Sequence, residues 1–531
     1  MPFAMRVLAL TIIALGAGRA LAQVAGAPQG APAVAPTTAA VVTRADLAAA
    51  YLAFDKAVTR RPPAAADLGA VNRAFDGATI SFFAGRHADA VRAIHELTAR
   101  LLGDTAVGAN SRLAAFRVSL EPRVAVRAPG TSAPMPIWRL MRLYGPRAHG
   151  GSPFAAPAPI APETLRLVAT ISNDERRASP IVETFSVVVG EPGAAVTVAA
   201  TSPGFARAAP GRYRIELRDA AQPLTSPTVL AGEWFVTDRD PDAQRADFIR
   251  RAQPLDTIVP PELLDAVTTF KARTRNLTNS PSASSTAQLQ ANPVALGRAL
   301  EEELRQLAGG SDPYRDRAGD LWRVLPAPGR VVPLRTYVPI SVARSRSRAP
   351  LVIALHGAGG DENMFPDALG DGQLLRLAEQ HGFVVVSPAT DLFGATPGEF
   401  DRLVALISSA AAIDKSRIYV IGHSRGAGQA MSLAGSRAAA LAGVACLAGF
   451  GRAVAGAPLA PTLVVLGELD PLAAPARLVP AIEQAVAAGL PIELRIVPQQ
   501  GHTLTVNAAL ADAVAWLMPK RLAPIAPAGN P

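Results

Sequence analysis

The chain has 531 residues, more than one core ordinarily organises, and 49% of them are apolar, so two to four domains with packed interiors are expected. One cysteine, Cys446, excludes a fold stapled by internal disulfides. A net charge of +9 raises the question of nucleic acid, but the basic residues are almost all arginines scattered singly through Ala-rich text, with lysines only at 56, 271, 415 and 520, so no nucleic-acid partner is expected.

Residues 1–22 have the layout of a secretory signal peptide: one early positive charge at Arg6, an apolar run from Val7 to Ala17, and the small-residue site Ala20-Leu21-Ala22. An uncleaved anchor is the alternative, but the run falls short of a membrane span. No later segment is apolar enough to span a bilayer. A periplasmic or secreted location is expected. Residues 23–43 are rich in Ala, Pro and Gly and read as a flexible leader.

From residue 44 to 112 the text is helical. Leu47, Tyr51 and Phe54 fall at helical spacing, as do Val71 and Phe75, and Ile80, Phe83, Val91, Ile94, Leu97 and Leu101 continue the apolar pattern. Pro62-Pro63 separates the first helix from the second. His87 and His95 in this module lack a third metal ligand, and no metal is expected anywhere in the chain. Residues 118–240 change to short alternating runs punctuated by Pro and Gly, such as Thr164–Ile171, Glu183–Val189, Ala195–Ala199, Gly211–Leu217 and Gly232–Val236, which predicts an antiparallel β-sandwich. Its late hairpin resembles that of immunoglobulin-like modules, and nothing in it carries chemistry. Residues 241–315 form a helical connector, with a Ser-rich loop at 280–286 and an amphipathic helix over Ala295–Leu307.

Residues 316–522 repeat strand, turn and helix. Apolar runs at Trp322–Leu325, Val331–Val338, Pro350–Leu355, Phe383–Ser387, Arg417–Ile421, Gly443–Leu447, Thr462–Leu466 and Ile492–Val497 predict eight strands in a mostly parallel sheet with helices on both faces. Arg344, Arg346 and Arg348 before the third run read as a solvated loop, and Cys446 reads as a small core residue of the sixth strand. Residues 523–531 are a Pro/Ala-rich tail.

The motif that carries chemistry is Gly422-His423-Ser424-Arg425-Gly426. It follows an apolar strand and precedes small, helix-compatible residues, the context of a strained strand-to-helix turn that exposes a serine nucleophile. Gly422 and Gly426 supply the room such a turn needs. A serine hydroxyl requires a base, and the base an orienting acid. His502 is the one histidine after Ser424, and Asp470 lies after the preceding strand, with Glu468 as the alternative acid. Leu355-His356-Gly357-Ala358-Gly359-Gly360-Asp361 supplies the fourth part. The amides of Ala358 and Arg425 are expected to form an oxyanion hole, with His356 and Gly357 shaping the turn and His381 and His423 structural.

On these residues, on Pro350–Asp361 and on Ile413-Asp414-Lys415-Ser416-Arg417-Ile-Tyr before the motif, the C-terminal part resembles the α/β-hydrolase superfamily. Within it the text is similar to exported esterases grouped with polyhydroxyalkanoate depolymerases and feruloyl esterases. The resemblance implies a serine hydrolase that cleaves carboxylic esters without a cofactor, with polymeric esters among the substrates it admits. The Asp-x-x-Arg-Ile-Tyr phrase is shared with prolyl-oligopeptidase-like domains, so a peptidase with the same triad stays open, as does an inert binding protein. The interval between Ser424 and Asp470 leaves no room for a cap, so the site is expected to be open unless the preceding domains cover it.

Overall fold

Helical periodicity in the first part of the chain produces α1 (Arg44–Arg60), α2 (Leu68–Phe83) and α3 (His87–Leu101), followed by the short α4 (Ala109–Ala114). The start of α1 is fixed by the Thr43 amide, which donates to the Asp46 carboxylate at 2.7 Å. Phe54 of α1 stacks on Phe75 of α2 with ring centroids 4.6 Å apart, and Ile94 and Leu97 of α3 close the same core. Ile80 and Phe83 depart from the expected apolar pattern: they are 42% and 52% exposed. This is a computed structural model, and it describes residues 41–103, 109–128, 130–145, 160–174, 179–223, 229–345, 347–394, 396 and 398–522. The expected signal segment, the leader up to residue 40, Arg346 and the tail 523–531 lie outside the described residues.

Eight strands follow: β1 (Phe116–Glu121), β2 (Val124–Val126), β3 (Ile137–Arg142), β4 (Glu163–Asn173), β5 (Ile181–Val189), β6 (Ala195–Ala199), β7 (Gly211–Asp219) and β8 (Val229–Thr237). They form a three-stranded sheet β1-β3-β6 and a five-stranded sheet β2-β8-β7-β4-β5. β1 follows the period of two as well: buried Phe116, Val118 and Leu120 alternate with Arg117, Ser119 and Glu121. Trp138 of β3 ties the sheets together: it stacks on Phe185 of β5 at 4.8 Å, and its indole N–H donates to buried Glu183 at 2.7 Å. The buried faces of α1–α3 and of both sheets belong to one apolar core that also takes in Leu504 from the far end of the chain.

Helices α5 (Pro241–Ala252), α6 (Leu255–Ile258), α7 (Leu264–Thr274), α8 (Thr286–Gln290) and α9 (Pro293–Ala308) lead to the last part. Asn292 caps α9 through its side-chain oxygen, 3.1 Å from the amides of Val294 and Ala295. There β9 (Gly319–Ala327), β10 (Arg330–Val338), β11 (Ala349–Leu355), β12 (Val384–Pro388), β13 (Ile413–His423), β14 (Gly443–Leu447), β15 (Thr462–Gly467) and β16 (Ile492–Val497) form an eight-stranded sheet in the order β16-β15-β14-β13-β11-β12-β10-β9. β10 runs antiparallel to both its neighbours and the remaining pairs are parallel, an α/β-hydrolase-like arrangement.

The continuous apolar runs have the cause anticipated for them. Successive side chains leave a strand on opposite faces, and here both faces are covered. Leu351, Ile353 and Leu355 of β11 enter one core, which is closed by α12 (Glu399–Ala410), α13 (Arg425–Ser436) and α14 (Pro475–Ala487). Val352 and Ala354 enter the other, closed by α11 (Gln373–His381) and α15 (Leu504–Leu517). Cys446 is buried in the first of these cores. Arg344 corrects the loop reading of its cluster: it lies in the short helix α10 (Ile340–Ser345), while Arg348 is exposed beyond it. Among the described residues no helix is long and apolar enough to cross a membrane.

Candidate active site

The parallel strands end on one edge of the sheet, and the residues singled out in the sequence meet there. Ser424 sits between β13 and α13 with φ 55° and ψ −116°, a conformation that L residues avoid unless the surroundings impose it. Those surroundings are backbone. A Cβ on Gly422 would lie 2.2 Å from the Gly426 carbonyl oxygen, and a Cβ on Gly426 would lie 2.1 Å from that of Leu355. The Ser424 amide donates to the Leu447 carbonyl at 2.9 Å, which fixes the turn to β14.

Ser424 Oγ lies 2.8 Å from His502 Nε2, and His502 Nδ1 lies 2.9 Å from Asp470 Oδ2. A carboxylate oxygen only accepts, so Nδ1 carries the ring proton and Nε2 faces the serine as an acceptor. Asp470 Oδ1 accepts from the amides of Leu472 at 2.8 Å and Ala473 at 2.7 Å, so the carboxylate is held in place from both sides. Glu468, the alternative acid, turns away and accepts from the Gln499 amide at 2.8 Å. Asp470 and His502 are both buried. Loop β15–α14 supplies the acid, two strands from the serine's strand β13, and loop β16–α15 the base, three strands away.

The turn after β11 lies against this group. His356 Nε2 accepts from the Thr390 amide at 2.8 Å, which leaves Nδ1 to donate to the Gly357 carbonyl at 2.8 Å. Burial pushes its pKa down to about 4, consistent with a neutral ring that braces the turn. Gly357 packs so closely that an added Cβ would be 3.2 Å from Ser424 Cβ and 2.9 Å from the His423 ring. Ala358 lines the cavity in front of Ser424, and Arg425 is the first residue of α13, whose amide belongs to an open helix end. The Arg425 side chain pairs with Asp391. His423 is buried with its ring centroid 5.1 Å from that of His502, and burial followed by the charge of His502 holds its pKa well below the usual value. His381 is exposed at the end of α11.

The residues that sequence reasoning missed come from the N-terminal helices. Asp76 of α2 is buried and accepts the His502 amide, at 3.0 Å to Oδ1 and 3.1 Å to Oδ2. Asn72, one turn earlier, accepts the Gly501 amide at 2.7 Å. Gly501 must be glycine, since a Cβ would fall 2.1 Å from Asp76 Oδ2. On α1, buried Asp55 accepts from the Gly370 amide at 3.2 Å and from Asn507 Nδ2 at 2.7 Å. Burial raises the Asp55 carboxyl to about 7 and the Asp76 carboxyl to about 6. The available signal was a polar pair, Asn72 and Asp76, at i and i+4 on a helix that also carries Leu68, Val71 and Phe75.

These helices also cover the site. A cavity of about 170 Å³ begins at Ser424 and His502, passes the Ala358–Gly360 turn, and is walled by side chains of α1 and α2. The expectation of an open site fails here for the reason allowed for it: a preceding segment covers the serine.

No protein-family model matches the chain, and no curated protein matches it in sequence. Among solved structures the chain is similar to a thermostable esterase at 20% identity, over 38% of this chain and 63% of that one, with a TM-score of 0.31. The chain therefore spans less than two thirds of that esterase's length. It is also similar to an S-formylglutathione hydrolase from Staphylococcus aureus at 16% identity, over 38% and 98% of the two chains, TM-score 0.32. A feruloyl esterase module from Clostridium thermocellum is 15% identical over 38% and 89%, TM-score 0.33.

Proposed function

We propose that the protein is a serine hydrolase that cleaves carboxylic esters through an acyl-enzyme on Ser424. One observation carries the reading: a strained, half-buried serine lies 2.8 Å from a histidine that an aspartate holds in the productive tautomer at 2.9 Å. Nε2 of His502 takes the hydroxyl proton as Oγ attacks the acyl carbonyl, and Asp470 stabilises the imidazolium that forms. The carbonyl oxygen becomes an anion facing the amides of Ala358 and Arg425, where the α13 N-terminus favours negative charge. His502 then returns the proton to the leaving alkoxide. Water, activated by the same nitrogen, releases the acid and restores Ser424.

The proposal includes export, on the strength of the residue 1–22 pattern, which N-terminal sequencing of the extracytoplasmic protein tests. The chemistry is tested by fluorophosphonate labelling of the full chain beside Ser424→Ala, followed by hydrolysis of p-nitrophenyl esters and peptide amides. Labelling and ester turnover are expected in the parent, with a fall on the order of 10⁵-fold or more in the variant. Equal labelling of both proteins would move the nucleophile elsewhere, and turnover of amides in preference to esters would favour a peptidase.

A further inference from the structure

Resting on the ester-hydrolase reading above, we propose that α1 and α2 form the acyl-binding wall of the enzyme, and that this wall selects a neutral, apolar acyl group about the size of one aromatic ring. The chemistry is supplied by the C-terminal sheet, but the space in front of it is not. From Ser424 the cavity runs between the Ala358–Gly360 turn and the side chains of Leu47, Tyr51, Phe75, Thr79 and Phe82. Phe82 touches the turn itself, since a Cβ on Gly359 would lie 2.7 Å from its Cε1. The same ring therefore borders both the proposed oxyanion donors and the apolar end of the cavity.

Size and charge define the ligand. An apolar cavity of about 150 Å³ holds a benzene molecule, so the space of about 170 Å³ in front of Ser424 accommodates a ring or a chain of roughly six carbons before it opens to solvent. The ionised side chains at the rim are already paired: Arg44 with Asp361 at 3.0 Å, and Asp367 with Arg335 at 3.0 Å. An anionic acyl group would thus lose water without gaining a free counter-charge, which disfavours it.

The test varies the acyl group of p-nitrophenyl esters on the full chain, with fluorophosphonate labelling of Ser424 measured in parallel. For the parent, kcat/KM is expected to rise about fourfold per methylene from acetate to hexanoate. It should be high for 3-phenylpropionate, fall at least tenfold from hexanoate to decanoate, and be at least a hundredfold lower for the monosuccinate than for butyrate. Thr79→Phe, which fills the cavity from α2, should lower the hexanoate-to-acetate ratio at least tenfold. Phe82→Ala should move the optimum to longer chains. A labelled parent with a flat acyl profile, or both variants within twofold of the parent's ratios while still labelled, would overturn the proposal and leave the triad standing. An unlabelled parent without ester turnover would remove the triad reading and this proposal together.

Discussion

The two sides of the active site are built on different physics. On the C-terminal side, backbone packs against backbone: Gly422 and Gly426 let chain segments approach until no Cβ fits, Gly357 packs against the side chains of His423 and Ser424, and the serine is held in a strained conformation. On the N-terminal side, side chains do the work. Aromatic rings of α1 and α2 bound the cavity, and buried Asn72 and Asp76 hold amides of the loop that carries His502. The first kind of wall tolerates almost no change in volume and fixes where the reaction occurs. The second is adjustable in size and polarity, and so is where selectivity and the position of the base are set.

The comparison is sharpest at the elbow. Gly426→Ala places a methyl group 2.1 Å from the Leu355 carbonyl oxygen, so a loss of about 3 kcal/mol or more in unfolding free energy is expected by denaturant titration. A variant as stable as the parent would show the turn to be looser than its geometry. Next in size, Asp470→Asn keeps the shape but favours the wrong His502 tautomer, so kcat should fall about 10⁴-fold with little change in KM. A fall under tenfold would mean that another group orients the base.

Across the interface the effects shrink. Asp76→Ala leaves the buried His502 amide without its acceptor, a penalty of about 1–3 kcal/mol, and kcat is expected to drop roughly ten- to a hundredfold while Asp76→Asn, which retains an acceptor oxygen, recovers most of it. Equal losses in both variants would point to the carboxylate's charge instead of its hydrogen bond. The smallest effect is a pH slope. Asp55 and Asp76 titrate near 7 and 6 in the folded chain against an ordinary 3.8, so between these values the folded state binds more protons than the unfolded one. The stability these groups contribute is complete below about pH 4 and is lost as pH rises through 6 to 7. Thermal melting is expected to weaken from pH 5 to pH 8 more steeply in the parent than in Asp55→Asn, and parallel slopes would remove Asp55 from the account.

What the sequence determined by itself was the half of the molecule in which neighbours in the chain are neighbours in function. All eight apolar runs of the C-terminal part became strands, and Ser424 could be located because a five-residue turn contains both the nucleophile and the glycines that make room for it. Asp470 and His502 could be placed because each follows directly from the end of a strand. The tertiary structure alone decided what surrounds them. The Gly501–Asn72 hydrogen bond joins residues 429 positions apart, and the His502–Asp76 bond residues 426 apart. No local period records such a pairing. On α2 the sequence shows Val71 and Phe75 as apolar residues at helical spacing, and that pattern is the same whether they fill a core or line a cavity. Only the docking of α1 and α2 against the ends of the parallel strands distinguishes the two, because burial depends on which surface arrives opposite, not on the helix that presents it.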